Sequence, residues 1–283
     1  MKQDRLAVPL AAWADALPVE RTNLFQDFAA FVRKTLVIAD LEARKLRHDP
    51  TELATRAVQP ILWLLVFGQV FTRTHAIPTG NLPYIDFMAP GILAQSVLFI
   101  AIFYGIAVIW ERDLGVVHKF LVSPTPRSAL VLGKALSAGV RAFVQAIIIY
   151  ILAVLLGVKA NFNPLYLLGV LTAVLLGAAF FSTFSLIIAC LVKTRERFMG
   201  IGQVLTMPLF FASNSIYPIS IMPAWLQVVS RLNPLSYEVD ALRALMLAGG
   251  TSGFGLGLDF AVLVGATTVL ILIGAALYPR VVV

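Results

Sequence analysis

The sequence predicts an all-α integral membrane protein with six transmembrane helices and both termini in the cytoplasm. Three observations carry that prediction. Hydrophobic residues make up 59% of the 283-residue chain and charged residues only 13%, against roughly 45–50% and 25% in ordinary soluble domains. Mean hydropathy is +0.88. Apolar runs of bilayer length recur six times, and the basic residues gather in alternate connections. A soluble globule cannot cover that much apolar surface with so few charges, which excludes a soluble enzyme, a disordered tail and a secreted disulfide module. The single cysteine, Cys190, lies in an apolar run, so neither an intramolecular disulfide nor a cysteine metal cluster is available.

The chain opens with a polar segment. Residues 1–57 carry 9 Lys/Arg and 8 Asp/Glu, and Asp4, Asp15 and Glu20 occupy the place where a signal peptide needs an apolar core. Residues 1–53 are therefore read as a cytoplasmic segment that is not cleaved, and residues 54–283 as the transmembrane domain. Leu24, Phe25, Phe28, Phe31, Val32, Leu36, Ile38 and Ala39 share one side of a helical wheel, with Arg33, Lys34, Asp40 and Arg44 opposite. That pattern, over about residues 24–41, suits a helix lying in the membrane interface.

A hydrocarbon core of about 30 Å needs roughly 20 apolar residues in a helix. Six segments qualify: 54–72, 88–110, 140–158, 165–192, 198–217 and 260–279. Arg141 is expected near the inner end of the third. The charge-free stretch 198–230 exceeds one span and is too short for two. Pro218 and Pro223 break it. Two short helices follow, 223–232 and 235–247, with Asn233 suited to an N-cap and Pro234 to a first helical position. These form a re-entrant or surface hairpin on the outer side. Asp240 and Arg243 stand at i, i+3 and are expected on a solvated face, where such a pair contributes only tenths of a kcal/mol.

Basic residues set the orientation. With the N-terminus inside, the inner segments hold 17 Lys/Arg and the outer ones 4, Arg73, Lys159, Arg231 and Arg243, with Arg141 the one remaining. The net charge of +7 then faces the anionic inner leaflet and calls for no nucleic acid.

Recognisable catalytic chemistry is missing from the pattern. His48, His75 and His118 lie outside the spans, and no His-Glu-x-x-His is present. The acids Asp86, Glu111, Glu196, Glu238, Asp240 and Asp259 are expected at or beyond span ends, which counts against proton or sodium coupling. Gly133-Lys134 lacks the remainder of a P-loop, so the chain has no ATP site of that kind. The inside loop 111–127 is more informative. Leu114, Val117 and Leu121 lie on one helical face, Gly115 loosens the start, and Pro124 and Pro126 stop the helix. A short cytoplasmic helix with an apolar stripe and mixed charge is shaped either to dock in a groove on another protein or to form an ordinary interfacial loop.

These residues resemble those of the membrane subunits of type-2 ABC exporters. The resemblance lies in Glu111-Arg112-Asp113 with Gly115, the Pro124-x-Pro126-Arg127 turn, Gly133-Lys134, the Pro218 to Met222-Pro223-x-Trp225-Leu226 segment, and Leu232-Asn233-Pro234-Leu235-Ser236-Tyr237 through Asp240-x-Leu242-Arg243. It runs from about residue 30 to the end and is nearest to the drug and lipo-oligosaccharide branch. It implies an interfacial N-terminal helix, six spans, a cytoplasmic coupling helix after span two and re-entrant outer helices after span five.

It also implies partners: two ABC ATPase subunits, which bind ATP and Mg, and a second permease subunit of the same or another kind in the plasma (bacterial inner) membrane. This chain itself is expected to bind no cofactor or metal, to have no catalytic residue, and to contact membrane lipid. Glu111, Arg112, Asp113, Leu114, Gly115, Val117 and Leu121 are the expected coupling residues. Phe210, Phe211, Tyr217, Trp225, Asn233 and Pro234 are the expected outer gate and re-entrant residues. An ATP-independent secondary transporter or channel is the alternative. A membrane enzyme acting on lipid precursors has no recognisable nucleophile and base to support it.

Overall fold

A computed structural model describes residues 58–75, 77–80, 82–115, 117 and 127–278, together with Val32, Arg33, Val37, Asp40, Arg44 and Thr55. Most of the expected interfacial helix 24–41, Leu121 with the 118–126 segment, and residues 279–283 lie outside the described residues. Within 24–41, Val32, Arg33, Val37 and Asp40 are helical and exposed.

A helix runs from residue 58 through a π-helical turn, Trp63–Gly68, into α1 (Gln69–Thr74). The other elements are α2 (Tyr84–Asp113), α3 (Arg127–Leu155), α4 (Pro164–Leu191), α5 (Arg195–Phe211), a 3-10 turn (Ile219–Ile221), α6 (Ala224–Leu232), α7 (Pro234–Met246) and α8 (Leu256–Leu277). No strand occurs among the described residues, where Ala160 and Leu247 form an isolated antiparallel bridge. Four helices, α2, α3, α4 and α8, are long and apolar enough to cross a membrane. At 17 residues, α5 rises about 25 Å, short of a hydrocarbon core of about 30 Å.

The hub is α4, which packs on α2, α3, α7 and α8. Its sequence explains this. Asn163 caps it by accepting from the Leu165 amide at 3.0 Å, and Pro164 stands at its first position. No residue of α4 is charged, so it can be buried on several faces. Small residues let its neighbours approach closely. A Cβ on Gly177 would lie 2.3 Å from Glu238 Cδ, and one on Gly91 of α2 would lie 2.3 Å from the Ser215 carbonyl oxygen.

Several expectations change. The third helix begins at Arg127 rather than near 140, because the intervening Ser128, Lys134 and Ser137 hide its continuation in the sequence. Arg141 thus falls midway along α3. It is buried, 4.6 Å over the Tyr104 ring, and donates to Ser137 Oγ at 3.1 Å. The fifth helix stops at Phe211, six residues early, where buried Ser213 and Ser215 turn the chain. The paired short helices appear where expected. Asn233 accepts from the Leu235 amide at 3.1 Å and Pro234 opens α7.

Candidate functional site

Charged side chains collect at two opposite ends of the bundle. The first is built around the end of α2. Glu111 and Lys134 of α3 form a buried ion pair at 2.6 Å. Arg112 donates to the carbonyls of Val192 (3.2 Å) and Lys193 (2.6 Å), which follow the last turn of α4. A cation at a helix C-terminus also suits the dipole. Asp113 pairs with Arg195 at 2.8 Å, and that guanidinium lies 3.8 Å over the Trp110 ring. The end of α2 is therefore tied to α3 and to the α4–α5 corner by charges that are almost all paired.

Beyond it the chain turns sharply. Gly115 has φ +71, a backbone that favours glycine. Leu114 donates its amide to Trp110 O and is 72% exposed, whereas Val117 is fully buried in a cluster with Val108, Ile109, Leu130, Phe198 and Tyr278. Leu114 and Val117 thus do not share one exposed face. The left-handed residue between them breaks the helical period on which a common stripe depends.

The second end gathers the connections 77–83, 212–223 and 247–255 around α7. Arg243 is buried, 3.9 Å over the Phe87 ring, and its Nη2 donates to Asn214 O (2.8 Å) and to Phe87 O (3.4 Å). Burial lowers its pKa to about 10 against the opposing charge of Asp240, so it stays cationic at neutral pH. Asp240 is buried and accepts from Ser252 Oγ (2.8 Å) and the Phe254 amide (2.9 Å). Ser252 Oγ lies equally 2.8 Å from Asp259, so its single proton serves one of the two carboxylates at a time. The expected solvated Asp240–Arg243 face is therefore corrected. The two residues are buried and bonded elsewhere, because α7 packs into α2, α4 and α8 instead of lying on the surface.

Glu238 departs furthest from its expected place at a span end. It is fully buried, and neither carboxyl oxygen has a hydrogen-bond partner. It presses on Gly177, midway along α4.

The expected outer residues divide. Phe210 is 1% exposed and packs edge-on to Trp63 at 6.0 Å, whereas Phe211 is 46% and Trp225 69% exposed. Tyr217 donates its hydroxyl to the Phe211 carbonyl. Asn233 also donates to the Leu209 carbonyl at 2.7 Å, tying the α6–α7 corner to α5. Sequence reasoning singled out Glu111, Arg112 and Arg243. It missed Glu238 as an interior group, and it missed Arg195. Lys134 stood in the motif without its partner. The one available signal was the Glu238-x-Asp240 spacing within α7.

Four helices of bilayer length, three of them packed on the buried short α7, define an integral membrane protein. Residues 33–247 match the family model described as ABC-2 type transporter, and the chain belongs to that family, the membrane permease subunits of ABC transporters. It is similar to a putative transport permease, ycf38, of Cyanophora paradoxa, 29% identical over 225 residues, 76% of this chain and 74% of that one. It is 30% identical over 211 residues to the daunorubicin resistance ABC transporter permease protein DrrB1 of Streptomyces coeruleorubidus, covering 74% and 72%. It is 29% identical over 169 residues to the probable multidrug ABC transporter permease YbhR of Escherichia coli K12, covering 59% and 45%.

Proposed function

We propose that this chain is the transmembrane half of an ATP-driven exporter that moves an amphiphilic drug-like or lipid or glycolipid substrate out of the cytoplasm or inner leaflet. Two ATPase subunits bind ATP and Mg on the cytoplasmic side, and a second permease subunit completes the path. In this reading the chain crosses six times, with the 58–74 helix and α5 as the shorter crossings, and both termini are inside. The end of α2 is then cytoplasmic and the α7 end is outer, in keeping with the 17 to 4 division of basic residues.

The observation that carries the reading is the bracing of the α2 end. A push on the chain beyond Gly115 meets Glu111, Arg112 and Asp113, and each is bonded to a different part of the bundle. Force applied there moves packed helices as bodies, the kind of two-state rearrangement that gates a path. Apolar walls suit an amphiphilic cargo. Phe211, Tyr217 and Trp225 border the outer exit, and Phe210 supports it from within.

Co-purification from mild detergent tests this. A stoichiometric P-loop ATPase with activity is expected. One observation favours a second reading, ATP-independent and proton-coupled transport: Glu238 places a carboxyl inside the bundle. Export lost to an ionophore, yet unaffected by removing the ATPase, decides for that second reading.

A further inference from the structure

At the end of the bundle opposite the Glu111–Lys134 pair, we propose a binding site for an anionic oxyacid group, a phosphate or carboxylate, with Arg243 as its cation. Two cavities meet there, of about 500 Å³ and about 320 Å³, and Arg243, Phe87, Pro218 and Ser220 border both. In the larger, Arg243 is the one charged residue among the described lining. In the smaller, Arg231 and Asp240 join it, so the cations still exceed the anions.

The chemistry of Arg243 is incomplete without a ligand. A buried guanidinium ordinarily has a carboxylate facing its fork, because an uncompensated buried charge is costly. Here the nearby carboxylate, Asp240, is turned to Ser252 and the Phe254 amide. Only Nη2 of Arg243 has acceptors, and both are neutral backbone carbonyls. Among the described residues neither Nε, which is shielded, nor Nη1 makes a hydrogen bond. Phe87 below and the Asn214 carbonyl beside it hold the plane of the group fixed. Ser220 and Thr251 border the larger cavity with hydroxyls that make no hydrogen bond among the described residues. A held cation with an unbonded Nη1, in a cavity bordered by two unbonded hydroxyls, suits the acceptor oxygens of a phosphate or carboxylate. The Phe87 ring and the Pro218 and Leu82 side chains give room for an apolar stem behind the head.

Two sources share this chemistry, an anionic lipid headgroup and a free anion. The purified full chain in dodecyl maltoside is titrated with dodecyl phosphate and with inorganic phosphate, and binding is read by calorimetry and by the thermal midpoint. Saturable binding of dodecyl phosphate alone assigns the site to a lipid-borne head. Binding of inorganic phosphate as well assigns it to the free anion. Ser220→Asp places a carboxylate on an exposed position at the mouth, where it either repels the anion or occupies Arg243. It is expected to weaken binding at least about tenfold. Arg243→Gln is expected to abolish binding, and should that variant fail to fold, Ser220→Asp decides alone. No saturable binding to the wild-type chain, or equal binding by Ser220→Asp, overturns the proposal. The assay involves neither ATPase nor transport, so it stands or falls apart from the exporter reading.

Discussion

The two ends of the bundle satisfy their charges in opposite ways. At the α2 end each charge meets an opposite one or a carbonyl: Glu111 with Lys134, Asp113 with Arg195, Arg112 with Val192 and Lys193. At the α7 end, among the described residues, Glu238 meets no donor, Arg243 has one hydrogen-bonded nitrogen of three, and Asp259 has one oxygen without a donor. A protein gains rigidity from the first arrangement and loses stability by the second. The α2 end is thus a cross-linked corner, which suits the force transmission proposed for it. The α7 end is held in place by apolar packing around poorly satisfied groups, the condition of a region that binds something or moves.

The strongest way to break this comparison is Lys134→Met. It removes one partner of the buried Glu111 carboxylate, and loss of one partner of a buried pair costs about 3–5 kcal/mol. The unfolding free energy in detergent is expected to fall by that amount. Glu111→Gln added to Lys134→Met is expected to recover most of it. A loss under 1 kcal/mol from the single variant refutes the brace.

Phe210→Ala comes next. It removes a fully buried ring packed on Trp63 and costs about 3 kcal/mol or more, whereas Phe211→Ala, at a half-exposed ring, costs under about 1 kcal/mol. Export normalised to folded protein separates the two roles. Phe211→Ala is expected to change export and Phe210→Ala chiefly the amount of protein. Equal effects of both on both readouts remove the distinction.

Glu238→Met has the opposite sign. The replacement keeps the length of the side chain and removes two oxygens that no donor reaches, so stability at neutral pH is expected to rise by about 1–3 kcal/mol. A fall instead means that a water or partner serves those oxygens. The same variant sharpens the choice of energy source. Export that survives it excludes Glu238 as a required proton carrier, while loss of export in a more stable protein favours proton coupling.

The long helices α2, α3, α4 and α8, the paired short helices and the Asn233 cap were legible in the sequence because hydrophobic length, proline and a capping side chain are local signals. The extension of α3 back to Arg127 was not, since the pairing of Lys134 with Glu111 is a tertiary contact and nothing local marks it. Glu238 failed for a related reason. It was expected at or beyond a span end, but α7 packs into the bundle until that carboxyl lies against Gly177. At the α2 end the charges Glu111 to Asp113 were visible, and their partners came from three other elements that the sequence does not pair.

The smallest effect on stability belongs to Leu114→Asp, and it bears most directly on function. Leu114 follows the last residue of α2 and points outward, with 72% of its surface exposed. An exposed side chain away from packed features changes stability by no more than about 0.5 kcal/mol, so the variant protein is expected to fold and to keep the Glu111–Lys134 brace. What changes is the apolar surface offered at the point where the chain leaves the bundle. If a partner ATPase presses there, a carboxylate in its apolar contact costs affinity. Stimulation of ATP hydrolysis and export are then expected to fall together. Val117→Asp, aimed into the buried cluster with Phe198 and Tyr278, serves as the contrast and is expected to lower stability first. Export and ATPase stimulation both intact in a well-folded Leu114→Asp protein mean that force enters the bundle elsewhere, and the paired charges of the α2 end are then a structural clamp.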